Sequence, residues 1–430
     1  MTKLRDLAET LGLVAYPVPD APALFFGKQR NLFKTPIALN ERQLRCHGCL
    51  VGCSGSGVSH QVANLLTQQT ERGGGWLFID VHGDVELRNH LAEVARRNGR
   101  ADEFQVVDLA AGTGYHTLNL MLHGSPEQRA LRVMLGSGGT QYTASASAGG
   151  HSPGTLEALE GILTAFFQAA DTERRVLGLR DVAMLMLSPA AQSELAARHP
   201  HLFDGLVEPM AAHAAALQAR GRRLLSYWEL FGDVIDADEP QVDLADTLVS
   251  NKMLYVSLPM LEHSAELAEV AAMLVSGVRS VLVLRNCRDK TFLLVLEQSS
   301  SYLDSLPGIS FSIARGMSVG IFHVLQDLTS LTEQQEAVIL ANAKSLFLYR
   351  NVSPGTLAKL VAQNRLLPSQ QQTLREFQPG EFMLQKDGAT VLAKAPFVTY
   401  LKAAYCPSSS AGKLLGRRLA VDNPSGDHAA

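Results

Sequence analysis

The chain is poor in cysteine. It has five in 430 residues: Cys46, Cys49, Cys53, Cys287 and Cys406. An odd, sparse set does not build a disulfide framework, so a reducing compartment is expected. Net positive charge is also lacking. The formal charge is −4, which argues against a whole-protein basic field for nucleic acid and leaves only a local patch or a basic pore. No uncharged apolar run reaches membrane-spanning length. The densest stretch, AAMLVSGVRSVLVL, is broken by Arg279, and the opening MTKLRDLAETLG has no apolar signal core. These absences predict a soluble, cytoplasmic protein without a membrane span of its own, held at any membrane by something else. A hydrophobic content of 46% against 19% charged residues excludes a disordered chain.

What is present begins at residues 52–59, GCSGSGVS. The spacing is that of a phosphate-binding loop, G-x-x-x-x-G-K-[ST]. Gly52, Gly57 and Ser59 stand in register, and Val58 occupies the lysine position. Such a loop works through backbone N–H groups at a helix N-terminus, with glycines allowing close approach. Its lysine adds a point charge on the phosphate oxygens, and its hydroxyl holds magnesium. Here Gly52, Gly55, Ser56, Gly57 and Ser59 keep the nest and the magnesium-side hydroxyl, while Val58 removes the cation. A charge-assisted contact of that kind is commonly worth about 1.5–3 kcal/mol.

The flanking pattern fits. CLVGC precedes the loop as an apolar strand, and SHQVANLLTQQTE follows with helical spacing. WLFID (76–80) and FQVVDL (104–109) read as buried strands, with a helix between them ending near Gly99. KMLYVSLP (252–259), FLLVLE (292–297), VGIFHVL (319–325) and SLFLYR (345–350) resume the pattern after a helix-only stretch. Alternating strands and helices predict an α/β fold with a mostly parallel central sheet covered on both faces. The expected organisation is a first part of this domain at 1–154, an inserted all-α domain at 155–245, a second part at 246–400, and a flexible tail at 401–430. The Gly- and Ser-rich stretch 135–154 reads as a loop or linker.

Several stretches in order are similar to the type IV secretion and conjugation coupling proteins of the TraG/TraD class. They are FFGKQRNLFKTPIALNERQLRCHGCLVGCSGSGVS, GGGWLFIDVHGDVEL, FQVVDLAAGTGYHTLNLM, VDLADTLVSNKMLYVSLPML and FLLVLEQSSSYLDSLPGISFSIARGMSVGIFHVLQDLTSL. The likeness covers roughly residues 25–365. It implies a RecA-like P-loop NTPase fold of the HerA/FtsK type with an inserted helical domain. The family's N-terminal transmembrane hairpin is absent from the sequence, and Leu120 replaces a turn proline.

The resemblance also assigns site residues. The second acidic motif of the family ends its strand in Asp-Glu, the Asp on the magnesium side and the Glu on the attacking water. Here the strand ends LLVLEQ. One register places Leu296 at the Asp position and Glu297 at the Glu position. A one-residue slip makes Glu297 the metal-side carboxylate and Gln298 its partner. In either case the acidic pair is incomplete. Val58 and Leu296 are then expected to converge on one magnesium–phosphate site relieved of hydrolysis. Arg315 matches an arginine that reaches a neighbouring subunit's phosphates, and Gln326 a glutamine that senses the terminal phosphate. Glu297, Arg315 and Gln326 are thus the candidate catalytic set, vestigial or acting in trans. Gly52, Gly55, Ser56, Gly57, Val58 and Ser59 form the candidate ATP-binding loop, with Ser59 on magnesium when nucleotide binds. Asp80 mimics an acidic motif but aligns with the family's Asp-containing turn.

Two other clusters have competing readings. Cys46, Cys49 and Cys53 with His47 and His60 offer metal ligands, but the stretch straddles a buried strand, where side chains alternate between faces, so buried thiols are expected. RHPH (198–201) and ARGRR (219–223) offer a DNA or partner surface, or simply a solvated helix face. The resulting expectation is a coupling-protein-like, oligomeric subunit of a type IV secretion apparatus, acting in assembly or recruitment of DNA or a relaxase-type substrate. It would bind ATP and magnesium weakly or not at all, and could join an intact coupling ATPase. An active hexameric DNA-translocating ATPase, and a non-transport binding protein that kept only the fold, are the alternatives.

Overall fold

A computed structural model describes residues 21–110, 114–137, 153–260, 263–285, 289–302, 309–386 and 388–401. The expected flexible tail, most of the Gly/Ser-rich stretch, Cys287 and Cys406 lie outside these residues.

The strands are β1 (Pro22–Gln29), β2 (Pro36–Asn40), β3 (Gly48–Val51), β4 (Trp76–Asp80), β5 (Phe104–Asp108), β6 (Met253–Ser257), β7 (Phe292–Glu297), β8 (Val319–Leu325), β9 (Ser345–Tyr349), β10 (Glu381–Lys386) and β11 (Ala389–Lys394). They form one eleven-stranded sheet in the order β2-β1-β11-β10-β9-β3-β8-β7-β4-β6-β5. The seven strands from β9 to β5 pair in parallel, and β10, β11, β1 and β2 extend the sheet antiparallel.

The parallel strands are apolar at almost every position because both faces are covered. In β4, Trp76 and Phe78 enter one core, which also holds Leu65 and Leu91 from the helices Val58–Glu71 and Val85–Arg97. Leu77 and Ile79 enter the other, with Phe166, Val182, Leu224 and Leu274 from the helices of the opposite layer. A period of two thus sorts one strand between two cores.

Between Pro153 and Val249 the described elements are all helices, apart from isolated bridges Leu118–Val242 and Asn119–Asp236. The long helix Ala214–Ile235 packs on Leu179–Leu187, where a Cβ at Gly221 would stand 3.0 Å from the Ala183 carbonyl oxygen. Arg223 and Tyr227 of that long helix both bond Glu269 of the helix Ser264–Val281. The segment Ser264–Leu284 is long and apolar enough to cross a membrane, with mean hydropathy 1.9, yet 72% of its apolar window is buried inside the fold.

The basic stretches are largely spent on internal contacts. Arg220 is buried and donates to the Ser137 carbonyl at 3.1 Å. Arg198 and His199 both meet Glu173.

Candidate functional site

The loop after β3 opens at the carboxyl ends of the parallel strands, the edge where open α/β sheets place ligands. The Gly52 N–H donates to the Leu325 carbonyl at 3.0 Å, tying the start of the loop to the end of β8. Gly55 (φ +73°) and Gly57 (φ +100°) take left-handed backbone. A Cβ at Gly55 would meet nothing within 4 Å, whereas one at Gly57 would stand 2.7 Å from the Gly380 nitrogen. Gly380 in turn donates its N–H to the Ser56 carbonyl at 2.8 Å. The loop is therefore braced from below by the turn entering β10. Gly57 caps the helix Val58–Glu71, whose first N–H groups have no intrahelical acceptor.

Above the loop lies a cavity of about 680 Å³, within the size range of nucleotide sites. Gly52, Gly55, Gly57, Val58, Ser59, Glu297, Gln298 and Gln326 all line it. The sheet topology therefore brings together most of the residues the motifs single out. Ser59 and Gln326 are exposed, while Ser56 is fully buried with an unpartnered hydroxyl and does not line the cavity.

Two further residues do not join them. Arg315 is exposed at the end of the helix Ile309–Gly316, just before β8 begins. The cavity lies past the other end of that seven-residue strand, on the order of 20 Å away at the usual strand rise. Leu296 is fully buried in the core, one residue before the cavity-facing Glu297. The expected convergence of Val58 and Leu296 does not occur, because successive strand residues face opposite sides of the sheet.

The second carboxylate comes instead from β4. Asp80 lies one step beyond the Ile79–Leu296 pair, in register with Glu297. Its Oδ1 accepts N–H bonds from His82 (2.8 Å) and Gly83 (3.0 Å); its Oδ2 accepts from the Asp84 N–H and the Tyr255 hydroxyl, both at 2.6 Å. Asp80 is thus the knot of the β4 turn. Glu297 is buried against it and holds its carboxyl proton far above the usual carboxylate range, first through burial and then through the Asp80 charge. The Val81 N–H donates to Glu297 Oε2 at 3.3 Å, and His82 Nε2 stands 3.7 Å from Oε1. The signal for Asp80 was the FIDVHGD stretch, which looks like an acidic strand end by itself.

The cavity's outer wall is the segment after β11. Phe397 lies on His60 with ring centroids 4.5 Å apart, and Tyr400 stacks on His90 at 5.3 Å. The Leu401 N–H donates to His90 Nδ1 at 3.0 Å.

The shape of this site fits a phosphate, but its charge does not fit a magnesium–triphosphate. Among the described residues lining the cavity there is no lysine or arginine, while Asp84, Glu86 and Glu297 are carboxyl-bearing. The glycine cradle and the free helix N–H groups remain. Among the described lining residues, no lysine or arginine stands ready to meet a charge developing on a phosphate.

No group of three or more His, Cys, Asp or Glu with metal-holding geometry occurs among the described residues. Burial pushes the Cys49 thiol up to about 12, and the Cys53 thiol donates to the Asn351 carbonyl at 2.8 Å.

No protein-family model matches the chain. In sequence it is 21% identical over 302 residues to the type 4 coupling protein DotL of Legionella pneumophila subsp. pneumophila, covering 60% of this chain. The match spans 38% of DotL, little more than a third of that relative. In structure it is similar to VirB4 of Thermoanaerobacter pseudethanolicus, with a TM-score of 0.58 and 14% identity over 89% of this chain and 98% of that one. It is equally similar to the plasmid coupling protein TrwB in complex with ADP and Mg²⁺, with a TM-score of 0.59 and 14% identity over 91% and 98% of the two chains. Likeness at such identity carries the fold: the chain is similar in sequence to a type IV coupling protein and has the RecA-like P-loop NTPase fold seen in TrwB.

Proposed function

We propose that this protein is a coupling-protein-like subunit of a type IV secretion or conjugation apparatus whose phosphate-loop pocket does not hydrolyse nucleotide. Its role is assembly or substrate recruitment. The observation that carries this reading is the charge of the cavity: among the described residues lining it there is a glycine nest, no lysine or arginine, and three carboxyl-bearing side chains. Burial, then the Asp80 charge, raises the Glu297 pKa well above the ordinary carboxylate range. The relationship to DotL and the shared fold with TrwB support the system; the cavity supports the loss of turnover.

Within this reading, the region 155–245 is an inserted helical domain. Gly52, Gly55, Gly57 and Ser59 hold any phosphate group, with Ser59 on its magnesium. Gln326 faces the same space. Arg315, exposed on the opposite edge of the sheet, serves a neighbouring subunit in a ring that includes an intact coupling ATPase.

Equilibrium binding of a fluorescent ATP analogue with magnesium tests the reading, comparing wild type with Val58→Lys. Wild type should bind weakly and show no magnesium-dependent turnover, and Val58→Lys should bind about ten- to a hundredfold more tightly, the value of one charge-assisted contact. Turnover by the wild-type chain alone sinks the proposal.

A further inference from the structure

Leu32 and Phe33 are the most exposed large hydrophobic residues among those described, at 90% and 85%. They are the two central residues of the turn joining β1 to β2. The Lys34 N–H closes that turn on the Asn31 carbonyl at 3.1 Å, and the Gln29 N–H donates to the Thr35 carbonyl at 2.8 Å. Asn31 Nδ2 adds a bond to Gln29 Oε1 at 2.7 Å. The tip is held in place by its own hydrogen bonds, so the exposure of its two apolar side chains is built in.

The base of the hairpin is a groove of about 760 Å³ lined by Lys28, Arg30, Lys34 and Lys394, with no aspartate or glutamate among its described lining residues. Arg30 is partly neutralised by Glu381, at 3.2 Å. The three lysines form no ion pair with another described residue. A chain of net charge −4 thus concentrates positive charge behind one apolar tip.

We propose that this hairpin docks on an anionic lipid surface. Leu32 and Phe33 enter the headgroup layer, and Lys28, Lys34 and Lys394 meet the lipid phosphates. Apolar side chains projecting ahead of a basic collar suit such an interface, where area burial and electrostatic attraction add. A single nucleic-acid strand is served less well. It needs aromatic faces along a groove, whereas here the apolar pair projects from a turn and one member is a leucine. The inference is independent of the nucleotide pocket.

The test is co-sedimentation of the full chain with vesicles of phosphatidylcholine alone or mixed with phosphatidylglycerol. Binding should require phosphatidylglycerol and weaken with salt. Leu32→Ser with Phe33→Ser should lower partitioning by about tenfold or more, and Lys28→Glu with Lys34→Glu by about fivefold or more per lysine. These positions are exposed, so thermal melting serves as the fold control. Phe33→Trp should show a blue-shifted emission difference over wild type only with anionic vesicles. Absence of anionic-vesicle binding, binding unaffected by the Leu32/Phe33 pair, or no blue shift overturns the proposal. So does loss of affinity in these variants for an oligodeoxynucleotide instead of for vesicles.

Discussion

The carboxyl group of Glu297, at the end of β7, lies against that of Asp80, at the end of the adjacent β4, and the two share a hydrogen bond beneath the phosphate-loop cavity. Two carboxyl groups so placed cannot both ionise cheaply. Asp80 is already the acceptor of four donors, so Glu297 is the member that keeps its proton.

That arrangement makes stability depend on pH in a defined direction. The folded-state pKa of Glu297 is raised, so its contribution is fully present below the ordinary carboxylate range and is lost as pH rises through the folded value. Glu297→Gln keeps the shape without the titration. Thermal melting should place this variant above wild type at neutral and mildly alkaline pH. The gap should close on acidification below the carboxylate range. A gap independent of pH would contradict the assignment.

Asp80→Asn should be costly. An amide cannot accept from the His82, Gly83 and Asp84 N–H groups and the Tyr255 hydroxyl as the carboxylate does. Denaturant unfolding should show a loss of about 2–3 kcal/mol, the usual scale for hydrogen bonds to a charged acceptor left unmade. A neutral result would mean that the turn holds without its knot.

The two left-handed glycines of the loop should differ. Gly55→Ala meets only backbone strain, about 1 kcal/mol, because nothing stands within 4 Å of its Cβ. Gly57→Ala adds a clash with the Gly380 backbone at 2.7 Å and should cost about 1–3 kcal/mol more. Equal losses in denaturant titrations would show that the loop is not braced by the β10 turn.

The segment over the cavity should loosen in acid. His90 Nδ1 accepts from the Leu401 N–H, so the ring proton sits on Nε2 and is shared with Thr67 Oγ1 at 3.0 Å. Burial, then the Arg97 charge, lowers the His90 pKa. The stability of this contact is therefore present above the ordinary histidine value of about 6.5 and lost as pH falls from there through the folded value. Hydrogen exchange of residues 395–401, corrected for intrinsic rates, should speed up at about pH 5 relative to neutral. His90→Asn should remove that dependence.

The phosphate loop and the parallel strands were legible because each carries a local signature: Gly52, Gly57 and Ser59 at fixed spacing, and buried runs such as Phe292–Glu297 and Val319–Leu325 that match the strands end for end. The antiparallel hairpins are less legible. β1 and β2 carry irregular register between them, and no alternation announces them. The pair β10–β11 does leave a mark in the sequence, the Asp387–Gly388 dipeptide between two apolar runs, which is a strong hairpin signal. The site was half legible. Val58 and Glu297 line the cavity as their motifs suggest, but Leu296 does not, because strand alternation turns it into the core.

The order of elements, the parallel character of the sheet's centre and the loss of the loop lysine were determined by the sequence alone, since each depends on residues close together in the chain. The company those residues keep was decided only by the tertiary structure. Asp80 and Glu297 are 217 positions apart, and Phe397 is 337 beyond His60. Only the pairing of β4 with β7 and the path of the chain after β11 bring each pair together. The charge of a cavity is a sum over such distant partners, and no local spacing encodes it.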